Sequence, residues 1–272
     1  MNTIISTPST PSYTPDNPHP HLLNEGDNAQ PLDIIGATAT DKLVIIMVGL
    51  PATGKTHTAN RIQRFLNFFH DIPSEIFNVG EYRRELSGAQ CPAAFYSSGN
   101  PEGVKAREKA ATMAMDDLIT YMRKDGVRVG VLDATNSTYE RRISVKERLK
   151  ASGLGVKIMC IELICNDCAL LAENIRTVKL NTPDYRDVEQ EVAIKDFNER
   201  RENYKKQYTP LRDRDGSYIV SEDCSKVSRA KRVEGKVPNY TRPSSFARSR
   251  LGKRSAKQAM FWNRVEQTRR LA

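Results

Sequence analysis

An α/β fold is predicted, a three-layer, doubly wound and mostly parallel sheet, on three observations. Short apolar runs of strand length recur at Leu43–Val48, Ile76–Val79, Val127–Leu132 and Val156–Ile164. Longer stretches between them carry apolar residues at three- and four-residue steps, the alternation of a parallel sheet with helices on both faces. Directly after the first run comes GLPATGKT, Gly49 to Thr56, which fits the phosphate-loop pattern G-x-x-x-x-G-K-[ST] at every required position.

The first run is unbroken and branched, as a strand buried on both faces requires. Gly49 and Gly54 let the backbone turn so that successive N–H groups converge on phosphate oxygens. A helix beginning near Lys55 adds the positive end of its dipole. Lys55 reaches the outer phosphates and the Thr56 hydroxyl is placed for Mg²⁺. Ile62, Phe65, Leu66 and Phe69 make the following segment amphipathic, so the context suits a P-loop NTPase/kinase type of fold and a nucleotide-binding chain.

Ile76–Val79 leads into the polar EYRRE, Glu81 to Glu85. Asn100-Pro101-Glu102 opens a helix with a capping side chain, a proline at the first position and an early acid. It runs to about Lys124, with Val104, Ala111, Met115, Leu118 and Met122 on one stripe, and Gly126 ends it. Val127–Leu132 is closed by Asp133. Ser137-x-x-Glu140 reads as a capping box for a helix to about Ala151. After Val156–Ile164 come a helix from about Asp167 to Val178 and a last one over roughly Val188 to Tyr208. No internal repeat is found.

The 272 residues carry a formal charge of +9, unevenly spread. Residues 1–40 hold −4, residues 41–220 hold +3 and residues 221–272 hold +10. The first is a Ser/Thr/Pro-rich leader predicted to be disordered. Its Thr-Pro pairs make a docking or phosphorylation segment the functional alternative. The second is the globular domain, and the third a basic, mostly disordered tail. A short helix around Ala256–Gln267 would carry the tail's apolar residues. The tail reads as a solvated segment, with a polyanion or protein partner as its functional alternative. No secretory signal opens the chain, and no apolar run approaches the roughly 18 residues that span a bilayer. With five cysteines, an odd number, the expected setting is reducing and cytoplasmic, without a membrane partner. Oligomeric state is not legible.

Asp133 ends a buried strand at the edge where such sheets present their ligands, suited to hold Mg²⁺ or orient a hydroxyl. Arg107 shares the stripe of Val104, Ala111 and Met115. Phe197, Arg200 and Tyr204 share another face. An arginine on an apolar face needs an anion, either a phosphate monoester or an internal carboxylate. Arg83 and Arg84 lie in the loop after the second strand. Cys165-Asn166-Asp167-Cys168 lacks a second pair or a nearby histidine to complete a zinc site, so packing beside the nucleotide is the preferred reading.

With these residues in view, the stretch from about Lys42 to Ile219 resembles the kinase half of the 6-phosphofructo-2-kinase/fructose-2,6-bisphosphatase family. The resemblance rests on GLPATGKT, FNVGEYRRE (Phe77 to Glu85), LDATNST (Leu132 to Thr138), ERR (Glu140 to Arg142), IELICND (Ile161 to Asp167), AENIRTVKL (Ala172 to Leu180) and TPDY (Thr182 to Tyr185). It implies ATP- and Mg²⁺-dependent phosphorylation of fructose 6-phosphate at its 2-hydroxyl. ATP would contact Gly49, Leu50, Pro51, Ala52, Thr53, Gly54, Lys55, Thr56 and His57, then Asn174, Ile175, Arg176, Thr177, Val178 and Lys179. The sugar phosphate would contact Arg83, Arg107, Thr135, Arg141, Lys179, Arg200 and Tyr204. Asp133 and Cys165 match active-site positions, Lys55 and Lys179 would stabilise the transferring group, and Thr56 and Asp133 would hold the metal. No histidine follows His70, so the family's phosphohistidine phosphatase half has no counterpart and no phosphatase activity is expected. After Ile219 the family continues into a further strand and helix, where this chain has VSEDCSKVSRAKR. Two other readings remain open: a nucleotide-binding regulator with weak or no catalysis, and a P-loop kinase for another phosphorylated substrate.

Overall fold

A computed structural model describes residues 41–223 and 226–231; at Lys179 and at residues 226–228 it describes the backbone alone. The expectations for residues 1–40 and for the tail beyond 231, with its partner and its helix, fall outside the described residues. Six parallel or antiparallel strands are described there: β1 (Leu43–Val48), β2 (Ser74–Asn78), β3 (Val129–Asp133), β4 (Lys157–Ile164), β5 (Tyr218–Glu222) and β6 (Lys226–Lys231). They form one sheet in the order β2-β3-β1-β4-β5-β6, all parallel except β6.

β1 lies in the interior, pairing with β3 and β4, which is why its sequence is apolar on both sides. Its alternation sorts the layers. Ile45 and Met47 pack with Ala59, Ile62 and Leu66 of α1 (Lys55–Phe69) on one face. Val44, Ile46 and Val48 pack on the other with Leu118 and Met122 of α3 (Pro101–Arg123) and with Val145 and Leu149 of α4 (Tyr139–Ala151). Between β2 and α3 lies α2 (Val79–Ser87), a helix capped by Asn78 in place of the loop expected around Arg83 and Arg84; α5 (Cys168–Asn174) follows β4, and α6 (Gln190–Lys205) precedes β5. The three-layer, doubly wound reading is what the chain adopts. Among the described residues no helix is long and apolar enough to cross a membrane.

Four further local expectations are corrected. Phe69, the last residue of α1, is 67% exposed, whereas Ile62 and Leu66 on the same helix are buried. The cap of α4 is Thr138, whose hydroxyl accepts from Arg141 N at 3.1 Å; the Ser137 carbonyl instead accepts from Thr209 N at 2.7 Å. The helix expected to Val178 is α5 followed by a π-helical turn, Ile175–Lys179. The boundary expected at residue 220 falls inside β5, and VSEDCSKVSRAKR supplies the end of β5 and all of β6. Tyr218 pairs with Lys231 and Glu222 with Lys226. The sheet thus keeps its far edge, and Arg229 and Lys231 give that edge the charge that discourages further pairing.

A buried ionic knot ties the return into β5 to the sheet. Arg142 of α4 is 0% exposed. Its Nε and Nη2 donate to the Asp215 carboxylate at 2.7 and 3.3 Å, and its Nη1 to the carbonyls of Asn136 and Thr209 at 3.2 and 2.9 Å. Buried Glu162 of β4 accepts from Tyr208 Oη and from Leu211 N. Segment 208–215 is therefore fixed against the ends of β3 and β4.

Candidate active site at the carboxyl edge of the sheet

The chain leaves β1 toward β2 on one side and leaves β3 toward β4 on the other, so the strand order reverses between β1 and β3. In open α/β sheets the crevice at such a reversal, beyond the strand ends, is the ligand site. Both phosphate loop and Asp133 open there. Leu132 stands opposite Ile46 and Asn78 opposite Asp133, which sets Asp133 beside the root of the loop.

Loop geometry follows from its glycines. Gly49 has φ +143, and a Cβ there would sit 2.5 Å from the Leu163 carbonyl oxygen. Gly54, at φ 89, is the left-handed residue from which α1 starts. Gly49 N donates to Thr135 O at 3.0 Å, and Thr53 Oγ1 to Leu50 O at 2.9 Å. Lys55 is buried, its Nζ donating to Leu50 O at 2.6 Å. Thr56 is half-buried and His57 exposed. Gly49→Ala should cost about 1–3 kcal/mol in backbone strain alone and should abolish stabilisation by ATP in a thermal-shift titration. An unchanged ATP response would remove the loop from nucleotide binding.

Asp133 is buried and accepts from Asn78 Nδ2 at 2.8 Å. The next turn is pinned to β1: Asn136, at φ 41, donates through Nδ2 to Met47 O at 2.8 Å. Cys165, just beyond β4, is buried, with Sγ 3.6 Å from Asp167 O. Asn174 donates through Nδ2 to Ala52 O at 3.2 Å, and Ile175 packs on Ala52, whereas Arg176, Thr177 and Val178 are exposed. The side chain of Lys179 lies outside the described residues.

The positively charged half gathers around one carboxylate and one ring. Arg83 is buried and donates through Nη2 to both Asp184 oxygens at 2.7 and 2.9 Å. Arg200 Nη1 donates to Asp184 Oδ2 at 3.0 Å, and Arg84 Nη1 lies 3.5 Å from Oδ1. The internal carboxylate left open by periodicity is therefore present, and it is Asp184 of TPDY. The Arg200 guanidinium lies 3.8 Å from the centre of the Tyr96 ring, with those of Arg83 and Arg107 at 5.8 and 5.9 Å. Tyr204 is 6.0 Å from the same ring. Arg107 Nη1 donates to the Phe95 carbonyl. Arg141 stands apart from the ring, half-buried and 2.5 Å from Glu108 Oε2. Thr135 contributes its carbonyl to the loop, as above.

Packing joins the two halves. Ala52 of the loop shares an apolar cluster with Ile175, Tyr185, Ala193 and Phe197. Phe197 lies one helical turn before Arg200 on α6, and the Arg200 guanidinium sits 5.9 Å from its ring. On the other side Asp133 bonds Asn78, from whose strand α2 carries Arg83 to Asp184. Packing and hydrogen bonds thus run from the phosphate loop and Asp133 to the elements that carry Arg200 and Arg83.

Burial alone would raise the Asp184 carboxyl, but Arg200 first and Arg83 after it outweigh burial and hold it below its usual range. Asp215 is lowered in the same sense, with burial again opposed by Arg142. A carboxyl depressed in the folded state contributes stability above its unfolded pKa of about 4, lost as pH falls through the lower folded value. The urea midpoint should hold from neutrality to about pH 5 and fall steeply below about pH 4. A midpoint that rose on acidification would contradict these pairings.

Asp184, Tyr96, Asn78 and Asn136 were not singled out from the sequence. Arg142 could have been, since it shares the helical face of Val145 and Leu149 by the rule that selects Arg107 and Arg200.

A sequence model of the 6-phosphofructo-2-kinase family matches residues 32–245, further at both ends than the stretch from Lys42 to Ile219. A 6-phosphofructo-2-kinase/fructose-2,6-bisphosphatase of Arabidopsis thaliana is 40% identical over 188 residues, 68% of this chain and 24% of that protein. One of Gallus gallus is 38% identical over 201 residues, 73% of this chain and 42% of that protein. The chain thus spans less than half the length of either relative. Among solved structures, Chaetomium thermophilum Kti12 in complex with ADP-AlF3 is 16% identical, with a TM-score of 0.44 over 67% of this chain and 90% of that one.

Proposed function

The chain belongs to the 6-phosphofructo-2-kinase family, and from that premise we propose that it transfers the terminal phosphoryl group of ATP to the 2-hydroxyl of fructose 6-phosphate. The observation that carries this reading is the arginine cradle beside the phosphate loop. Arg83, Arg84, Arg107 and Arg200 bring four positive charges to a cluster that holds the single carboxylate of Asp184. The positive excess suits a phosphate monoester, which carries about −1.5 to −2 at neutral pH. Arg200 Nε is buried with no hydrogen-bond partner among the described residues, a donor ready for an acceptor-rich ligand.

In this reading the loop's N–H groups and the start of α1 hold the nucleotide phosphates. Lys55 moves from the Leu50 carbonyl to the phosphates and neutralises charge as the bond to the leaving oxygen lengthens. Arg83, Arg107 and Arg200 fix the sugar by its 6-phosphate, so that the 2-hydroxyl is presented in line. Asp133, held by Asn78, orients that hydroxyl; a loose transition state asks for little base strength. One hydroxyl and one carboxylate, Thr56 and Asp133, fit Mg²⁺, which keeps several waters and binds through one or two carboxylates plus substrate phosphates. Bound there, Mg²⁺ would supply charge neutralisation for the transferring phosphoryl group. Lys179 completes the site by resemblance. The four described cysteines are free, in keeping with a reducing, cytoplasmic setting.

Phosphorus NMR of protein, Mg-ATP and fructose 6-phosphate tests the proposal. It should show ADP and fructose 2,6-bisphosphate appearing together. ATP binding without turnover, or phosphate entering another hydroxyl, would overturn it.

A further inference from the structure

Tyr96 sits where three guanidinium groups meet, its ring buried beside those of Phe95 and Tyr204. It closes a 3₁₀ turn, Ala93–Tyr96, which is held to α6 by its other end: Ala93 N donates to Asp196 Oδ1 at 2.7 Å and Asn203 Nδ2 to Ala93 O at 3.0 Å. The residue is only 2% exposed, and its hydroxyl has no hydrogen-bond partner among the described residues. A buried hydroxyl without a partner costs about 1–3 kcal/mol, so the hydroxyl does not explain the position. The ring faces do. A cation within about 6 Å of an aromatic centre is drawn to its negative face, and Arg200, Arg83 and Arg107 all meet that distance, at 3.8, 5.8 and 5.9 Å.

We infer that Tyr96 is a positioning residue for the substrate, its ring serving as the shared platform that sets the spacing of Arg200, Arg83 and Arg107. Like charges drawn this close repel one another. Asp184 offsets part of that repulsion for Arg83 and Arg200, but it does not reach Arg107, whose other partners are the Phe95 and Ser97 carbonyls and the Phe95 ring. The Tyr96 ring lies within 6 Å of all three guanidiniums. Without it Arg200 keeps its Asp184 and Tyr185 contacts but loses the ring surface 3.8 Å from its guanidinium, and a fork held on fewer sides binds phosphate less well.

The inference rests on the sugar-phosphate reading, and two variants separate the fates of the two ideas. Tyr96→Leu removes the aromatic face, and Tyr96→Phe keeps it. The Leu variant should raise KM for fructose 6-phosphate about tenfold, the scale of one desolvated cation–π contact, with KM for ATP unchanged. The Phe variant should stay within about threefold of the parent and unfold no lower, having shed a buried unpartnered hydroxyl. Independently of turnover, phenylglyoxal labelling of Arg200, mapped by mass spectrometry, should accelerate in Tyr96→Leu and not in Tyr96→Phe. Equal labelling of Arg200 in the parent and Tyr96→Leu would overturn the platform. So would equal losses in the Leu and Phe variants, which would give the role to the hydroxyl. Accelerated labelling in a protein that fails to bind fructose 6-phosphate at all would instead overturn the substrate assignment.

Discussion

Lys55→Ala should lower kcat by about 10²–10³, the loss that follows removal of one donor aimed at transition-state charge. Buried at the start of α1, the ammonium is already held over the loop by the Leu50 carbonyl at 2.6 Å. Little reorganisation is needed for it to meet a phosphate, so its contribution falls on the step in which charge moves. ATP should still bind, because backbone N–H groups and the helix start remain. KM for fructose 6-phosphate should move little, since the arginines proposed to grip the sugar lie on α2, α3 and α6. Steady-state kinetics on the purified variant checks this, with circular dichroism to show that the fold persists. An unaltered kcat would remove Lys55 from the chemistry.

The largest effect on stability is expected at Arg142. Arg142→Met leaves the Asp215 carboxylate buried without its bidentate partner and strips the Asn136 and Thr209 carbonyls of theirs. Breaking such a pair costs about 3–5 kcal/mol. At about 2–4 °C per kcal/mol for a domain of this size, the melting temperature should fall by about 6–20 °C. Lys146 lies 4.0 Å from Asp215 Oδ1 and donates to its carbonyl, which favours the lower end of that range. The double variant Arg142→Met/Asp215→Leu should recover much of the loss, because the penalty is the stranded charge rather than the missing attraction. Differential scanning calorimetry on the two proteins decides it. A single variant as stable as the parent, or a double variant no better than the single, would contradict this view of the knot.

What could be read from the sequence was what local pattern encodes. The strands of the parallel core announce themselves as apolar runs because both their faces are covered, and the phosphate loop because its glycines are required by geometry. Arg107 and Arg200 stood out because helical spacing sets a cation on an apolar stripe. Asp184 did not, since its bond to Arg83 spans 101 residues and its short turn has no period to read. Tyr96 was hidden for the same reason, in a turn of four residues. β6 escaped because an edge strand needs only part of one face apolar; KVSRAK reads as a basic tail until its pairing with β5 is known. Residue 142 was legible in principle, but the neighbouring Arg141 took the role that resemblance offered.

The central claim is that nucleotide and sugar phosphate lie side by side, one on the phosphate loop and the other in the arginine cradle. Mn²⁺ bound with a non-hydrolysable ATP analogue tests it directly, through its effect on the phosphorus signal of fructose 6-phosphate. Marked broadening of that signal, abolished by Arg200→Gln while the analogue still binds, is the predicted result. Both ligands bound with the sugar-phosphate signal left sharp would contradict the account.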